Sequence, residues 1–321
     1  MARLIAVINT AFDETLREQI RRTAEETGFA VQFYGSEAEA GEALQEAEVI
    51  YGVAPKTAQT SDALRWLCLP TAGADLFCRP GMFRHEETLL TNSAGAYGLT
   101  LAEHAVMLTL MLLRQMPHFE EGIRQREWRS PVPQRSIKDS RVTLLGAGDI
   151  GRNIARRLKP FEPAGITAVN RSGRSTEPAF DVVVPQEKLA EVLPQTDILI
   201  MSLPATPATD GILGEEALSL LPEHAYVVNV GRGTAVDEPA LIRALNSGAI
   251  AGAALDVTRT EPLPENDHLW EAKHLILTPH VAGNMTIAYT RQKNVNMFCE
   301  DLRRYAAGEP LQYLVDREAG Y

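Results

Sequence analysis

Apolar positions in the first hundred residues fall into short runs separated by stretches of helical period. Leu4–Ile8 is a continuous apolar run, Asp13–Thr27 places Leu16 and Ile20 on one helical face, Ala30–Tyr34 and Val49–Val53 are apolar again, and Leu64–Leu69 leads into a fourth run. Short apolar runs alternating with helical stretches predict buried strands in a parallel sheet. A long helix is predicted from about Thr100, where Thr100-Leu-Ala-Glu103 has the form of a capping box, to about Leu113. Trp128–Ser140 holds Pro131 and Pro133 and shows no period, which predicts a loop.

A second alternating series opens at Arg141. Val142–Leu145, Ile166–Val169, Ile198–Ser202, Ala225–Asn229, Gly252–Leu255 and Leu275–Thr278 read as strands and Ile150–Leu158 as a helix, with Gly and Pro between them. The last helical pattern, Thr286–Tyr305, is expected to cross back to the first domain, because the second already has its strands. The whole pattern predicts two doubly wound α/β domains.

Composition narrows what such a chain does. With 321 residues and 45% hydrophobic content it can fill two cores. A net charge of −11 argues against nucleic acid as a partner. Cys68, Cys78 and Cys299 are odd in number and form no C-x-x-C pair, so free thiols in a reducing compartment are expected rather than disulfides or a thiolate metal site. The most apolar run, Ala105–Leu113, is shorter than the roughly 20 residues that span a bilayer, and the amino-terminal run reads as a strand rather than a signal peptide. A soluble, cytoplasmic protein is expected. No H-E-x-x-H and no cluster of Asp is present, so no metal is predicted.

Candidate chemistry begins directly after the strand Val142–Leu145, at Gly146-Ala-Gly148-Asp149-Ile150-Gly151. In G-x-G-x-x-G between a strand and a helix, the first glycine permits a tight turn. The second lets the backbone approach a pyrophosphate, and the third lets helix and strand pack closely. The N–H groups at the helix start then face the phosphates. At the end of the next strand a chain that binds NAD usually carries an acid for the ribose hydroxyls. Here the residues are Asn170-Arg171-Ser172-Gly173-Arg174. Guanidiniums suit a 2′-phosphate, which predicts a preference for NADP(H). The alternative is NAD(H), with Asn170 on its ribose.

Three polar residues follow later strands, where this architecture places ligands. Arg232 follows Ala225–Asn229, Glu261 follows Gly252–Leu255, and His280 follows Leu275–Thr278. Reduction of a 2-keto acid needs a fixed arginine for the carboxylate and a histidine to protonate the carbonyl oxygen. It also needs a carboxylate to orient that histidine and favour its charged form. Arg232, His280 and Glu261 match these roles in kind. Among the other histidines His104, beside Glu103 on an apolar helix face, is expected to be structural or to support the site from behind.

These segments, namely Leu145–Gly151, Val228–Thr234 with Asp237, Leu255-Asp-Val with Glu261-Pro-Leu-Pro, and Leu277–Gly283, resemble the D-isomer-specific 2-hydroxyacid dehydrogenase family over nearly the whole chain. The resemblance implies a Rossmann dinucleotide domain, residues 100–286, inserted in a flavodoxin-like substrate domain made of 1–99 and 287–321. It implies that Arg232 binds the substrate carboxyl and carbonyl and that His280, paired with Glu261, is the acid/base. It further implies that Asp256 bonds the nicotinamide carboxamide and that Val230, Leu203 and Pro204 line the cofactor. The N–H groups of Ala72 and Gly73 would hold the substrate carboxylate. The helix from Thr100, with the stretch to Trp128, resembles the family's dimerisation region, so a homodimer is expected. Glu261 stands where formate dehydrogenases of the family carry Gln, which disfavours formate, and Arg171-Ser172 resembles the pair seen in NADP-type glyoxylate and hydroxypyruvate reductases. A competing reading from another class is a cofactor-sensing binding protein of the same fold that acts through protein partners.

Overall fold

The computed structural model describes residues 3–9 and 11–320. The chain divides into two compact units, one formed by residues up to 97 together with those from 284 onward, the other by Gly98–Gly283. Among the described residues twelve strands form two sheets, and every strand pair is parallel.

In the first unit β1 (Arg3–Ile8), β2 (Phe29–Tyr34), β3 (Val49–Tyr51), β4 (Trp66–Cys68) and β5 (Leu89–Thr91) lie in the order β2-β1-β3-β4-β5, the flavodoxin-like order. Both faces are covered, which is why the strands read as unbroken apolar runs. Ile5, Val7, Tyr51 and Trp66 face one layer, and Ala6, Ile50 and Leu67 face the other. The helix Glu14–Glu26 is started by Asp13, whose carboxylate accepts from Leu16 N at 3.0 Å. It shares the first layer with Val295, Phe298 and Leu302 of the helix Ala288–Ala307. Phe298 stacks on Tyr51 with ring centroids 4.2 Å apart. That last helix starts at Ala288, not Thr286, because Asn284 Oδ1 already accepts from Thr286 N at 2.9 Å and from its hydroxyl.

In the second unit β6 (Arg141–Leu145), β7 (Gly165–Asn170), β8 (Val182–Pro185), β9 (Ile198–Met201), β10 (Tyr226–Asn229), β11 (Gly252–Leu255) and β12 (Leu275–Leu277) lie in the order β12-β11-β10-β9-β6-β7-β8. The order reverses between β6 and β9. At such a switch point successive crossovers leave on opposite faces and open a crevice at the strand ends.

Three local features depart from the pattern. The long helix begins at Gly98 and runs to Leu113, so Thr100 lies buried inside its first turn rather than at the N-cap. A Cβ on Gly98 would stand 2.0 Å from Asp149 Oδ2, so this turn packs closely on the Asp149 carboxylate at the start of the helix Asp149–Leu158. The helix Met116–Gln125 was not foreseen. Nor were the edge strands β5 and β8. Among the described residues no helix is long and apolar enough to cross a membrane.

Candidate active site

The turn after β6 is built by its glycines. Gly146 has φ 109°, a conformation that favours glycine, and a Cβ there would lie 2.8 Å from Ser202 Oγ. A Cβ on Gly151 would lie 1.9 Å from the Gly146 carbonyl oxygen, which brings the helix start directly onto the turn. Gly148 differs: its backbone is extended and a Cβ would meet nothing within 4 Å. Gly148 is the N-cap of the helix and supplies no side-chain cap, so the first N–H groups of that helix have no side-chain partner there. Asp149 lies on the exposed side and its Oδ1 accepts from Asn153 Nδ2 at 3.1 Å. Ile150 packs inward against the core. Two glycines thus close the turn, and the third leaves room for a group that approaches the helix N-terminus. These residues fit a dinucleotide pyrophosphate. Across the switch point, a Cβ on Gly231 would lie 2.6 Å from Leu203 N, so the turn after Val230 packs closely on the backbone of Ser202 and Leu203, just before Pro204.

Beyond β7 the side chain of Asn170 is consumed by its own loop. Its Oδ1 accepts from Gly173 N at 2.7 Å and its Nδ2 donates to Arg174 O at 2.9 Å. The loop is thereby closed, with Arg171, Ser172 and Arg174 on its exposed surface. Glu177, further along, is buried, and the Arg156 guanidinium beside it holds its carboxyl below the ordinary range.

Arg232, Glu261 and His280 sit beyond the carboxyl ends of the neighbouring strands β10, β11 and β12. The Arg232 turn is clasped by Asn229, which is fully buried. Asn229 Oδ1 accepts from Gly231 N at 3.0 Å and its Nδ2 donates to Arg232 O at 2.9 Å. A Cβ on Gly233 would lie 1.9 Å from the Thr258 carbonyl carbon, so this turn lies backbone to backbone on the loop that carries Glu261. Arg259 joins the same two segments to a third, donating to Thr234 O at 2.9 Å and to Asp210 Oδ1 at 3.1 Å.

Glu261 is oriented at one oxygen by Thr258 N, 3.0 Å from Oε1, while its Oε2 lies 2.6 Å from His280 Nδ1. An ionised carboxylate only accepts, so Nδ1 donates to it and Nε2 is the position available for proton exchange. His280 has φ 52°, sparsely populated for a residue with a side chain, and such a conformation persists only where its surroundings over-determine it. Asp256, which is 2% exposed, does much of that. Its carbonyl accepts from His280 N at 2.8 Å, and its carboxylate accepts from Val281 N and Ala282 N at 3.0 Å each and from Thr278 Oγ1 at 2.6 Å. His104 Nε2 completes the cluster, 3.1 Å from Thr278 Oγ1 and 3.4 Å from Asp256 Oδ1. Burial pushes its pKa down, with the Asp256 charge opposing.

The structure therefore brings Glu261 onto His280, Asp256 behind both, and the Arg232 turn against the Glu261 loop. Ala72 and Gly73 lie in the other unit, partly buried, on the loop after β4. Asn229, Thr278 and the clasp made by Asp256 escaped the sequence reading. The available signal was a short polar residue at the end of an apolar strand, just before a loop that carries candidate chemistry.

A doubly wound sheet with this turn at its switch point and an imidazole–carboxylate pair at its strand ends defines a nicotinamide-dependent oxidoreductase. Residues 106–282 match the model of the D-isomer specific 2-hydroxyacid dehydrogenase NAD-binding domain. The chain is 34% identical over 241 residues to glyoxylate/hydroxypyruvate reductase A of Salmonella typhimurium, covering 75% of this chain and 72% of that protein. It superposes on a D-isomer specific 2-hydroxyacid dehydrogenase family protein of Aeromonas salmonicida with a TM-score of 0.87 at 28% identity, covering 99% and 100% of the two chains. On a D-isomer specific 2-hydroxyacid dehydrogenase of Xanthobacter autotrophicus, solved with NADPH and MES, the TM-score is 0.84 at 28% identity, with both chains covered fully. This chain belongs to the D-isomer specific 2-hydroxyacid dehydrogenase family, NAD(P)-dependent oxidoreductases of small 2-hydroxy and 2-keto acids.

Proposed function

We propose that this protein is an NADP(H)-preferring reductase of small 2-keto acids that forms the D-2-hydroxy acid. The observation that carries the reaction is His280, held through Nδ1 by Glu261 at 2.6 Å so that Nε2 is left to exchange a proton. When bound, the nicotinamide supplies the hydride. Arg232 binds the substrate carboxylate and carbonyl through its planar guanidinium. The Ala72 and Gly73 N–H groups hold the carboxylate as well. His280 Nε2 gives its proton to the carbonyl oxygen, and Glu261 holds the imidazole in place through Nδ1. Gly146, Gly148, Asp149, Ile150 and Gly151 cradle the pyrophosphate. Val230, Leu203 and Pro204 line the cofactor, and Asp256 receives the carboxamide.

The preference for NADP(H) is supported by Asn170, whose amide is spent closing its loop and so is not set to take the place of a ribose-binding acid. Arg171, Ser172 and Arg174 then meet the 2′-phosphate. The neighbour from Xanthobacter was solved with NADPH, and the relative from Salmonella is a glyoxylate/hydroxypyruvate reductase, which makes glyoxylate and hydroxypyruvate the first substrates to try. We also propose a homodimer. Met107 on the helix from Gly98, Ile123 on the helix Met116–Gln125, and Trp128 after it are large apolar side chains left exposed along one stretch of chain, apolar surface that a second copy would cover.

The test is kcat/KM for NADPH and NADH across a panel of 2-keto acids. An advantage for NADPH with turnover of at least one small acid is expected. An advantage for NADH would overturn the cofactor preference. Tight cofactor binding with negligible turnover of every acid would favour a cofactor sensor instead.

A further inference from the structure

Five consecutive carbonyls on the loop after β4 are each gripped by a donor of the first unit. Ser93 Oγ donates to Leu69 O at 2.9 Å, and the Tyr97 hydroxyl donates to Pro70 O. Ser93 N donates to Thr71 O at 2.9 Å, Asn92 Nδ2 to Ala72 O at 2.8 Å, and Thr71 Oγ1 to Gly73 O at 2.9 Å. Asn92, Ser93 and Tyr97 are all buried. Asn92 Oδ1 accepts from Ala94 N at 3.1 Å, which orients the amide with its donor toward Ala72.

The N–H groups of Thr71, Ala72, Gly73 and Ala74 meet no acceptor among the described residues. They share peptide planes with the Pro70, Thr71, Ala72 and Gly73 carbonyls. A trans peptide is rigid and its N–H points opposite to its C=O. Gripping each carbonyl therefore aims the N–H of the same plane the other way. A row of aligned backbone donors without acceptors forms an electropositive concavity for an anion. Donors left unpaired in half-buried surroundings are costly until an anion satisfies them.

We propose that Asn92, Ser93 and Tyr97 are positioning residues for the substrate carboxylate. They act through the peptide planes of residues 70–74 and do not touch the substrate. Donors fixed in this way need not reorient as the acid binds, so the residues serve KM more than the chemical step. This inference rests on the reading of Ala72 and Gly73 as carboxylate-binding residues.

Two variants of the full chain test it. Asn92→Asp keeps the oxygen that Ala94 N needs but sets a second oxygen against the Ala72 carbonyl, which turns that peptide away. Tyr97→Phe removes only the hydroxyl on Pro70. With saturating cofactor, the KM for the preferred 2-keto acid and the Kd for oxamate, an unreactive analogue, should rise together by about tenfold, the value of one hydrogen bond to a charged group. kcat should stay within about threefold and the cofactor Kd should not move, a split that general loss of structure does not produce. Should Asn92→Asp fail to fold, Tyr97→Phe carries the test. Folded variants with wild-type KM and oxamate Kd would overturn the positioning role. A crystal structure of the wild-type protein with cofactor and oxamate separates the two levels. A carboxylate bound away from the Ala72 and Gly73 N–H groups overturns the underlying reading, whereas one bound there with unaffected variants overturns only this inference.

Discussion

Two glycines of one turn should answer an alanine substitution in opposite ways. At Gly151 the added Cβ would stand 1.9 Å from the Gly146 carbonyl oxygen. Ordinary contact between carbon and oxygen is about 3.3 Å, so helix and turn must part by more than an ångström. Overpacking of this kind costs about 1–3 kcal/mol, which lowers Tm by about 2–12 °C for a unit of this size. At Gly148 the backbone is extended, with φ −75° and ψ −163°, and the Cβ meets nothing. Alanine is compatible there, so stability should be unchanged or raised by up to about 1 kcal/mol. The methyl group would instead occupy the space left for phosphate. Losing one charge-assisted bond to the pyrophosphate, about 1.5–3 kcal/mol, raises the cofactor Kd about 10- to 150-fold. Thermal melts without cofactor, paired with a fluorescence titration of NADPH, read both effects. If Gly148→Ala binds cofactor with wild-type affinity, the space above Gly148 is not where the phosphates lie. If Gly151→Ala melts with the wild type, the tight contact with Gly146 is not structural.

Other expectations follow from the same geometry. His280→Ala should lower kcat by about 10²–10⁴-fold with little change in cofactor Kd, and near-full turnover would exclude His280 as the acid. Asn229→Ala should cost about 1–3 kcal/mol, because it strands buried backbone groups of the Arg232 turn. It should also raise KM for the 2-keto acid more than the cofactor Kd, and equal changes in both would argue against a specific clasp on Arg232. His104 gives a pH effect. Burial lowers its folded pKa below the ordinary value of 6.5, so the unfolded chain takes up its proton first as pH falls. That contribution to stability is complete above about pH 6.5 and is lost below it. His104→Asn should therefore flatten the fall in Tm between about pH 7.5 and 5.5, and an unaltered slope would rule His104 out as its source.

Much of this molecule is legible in its sequence because the physics concerned is local. A pyrophosphate needs a tight turn, an open position and a helix start within six residues, so Gly146–Gly151 can be read as a string. Buried parallel strands must be apolar on both sides, so ten of the twelve stand out as runs, and only the short edge strands β5 and β8 do not. The chemical types of Arg232, Glu261 and His280, each just past a strand, follow from the same alternation.

Contacts between distant segments are another matter. Glu261 and His280 are 19 residues apart and meet only because β11 and β12 are neighbours in register. Gly98, in the first turn of its helix, stands directly against the carboxylate of Asp149, far along the chain. Asn229 and Asn92 look like ordinary polar residues in the string, and Asp256 stands out there only through the family resemblance. Their hydrogen bonds, to the Arg232 turn, the His280 loop and the Ala72 peptide, exist only once the sheets have assembled. Residue types and local turns were set by the chain itself. Which groups touch, and which donors are left for a ligand, was decided by strand order and register, since a hydrogen bond depends on separation in space rather than along the chain.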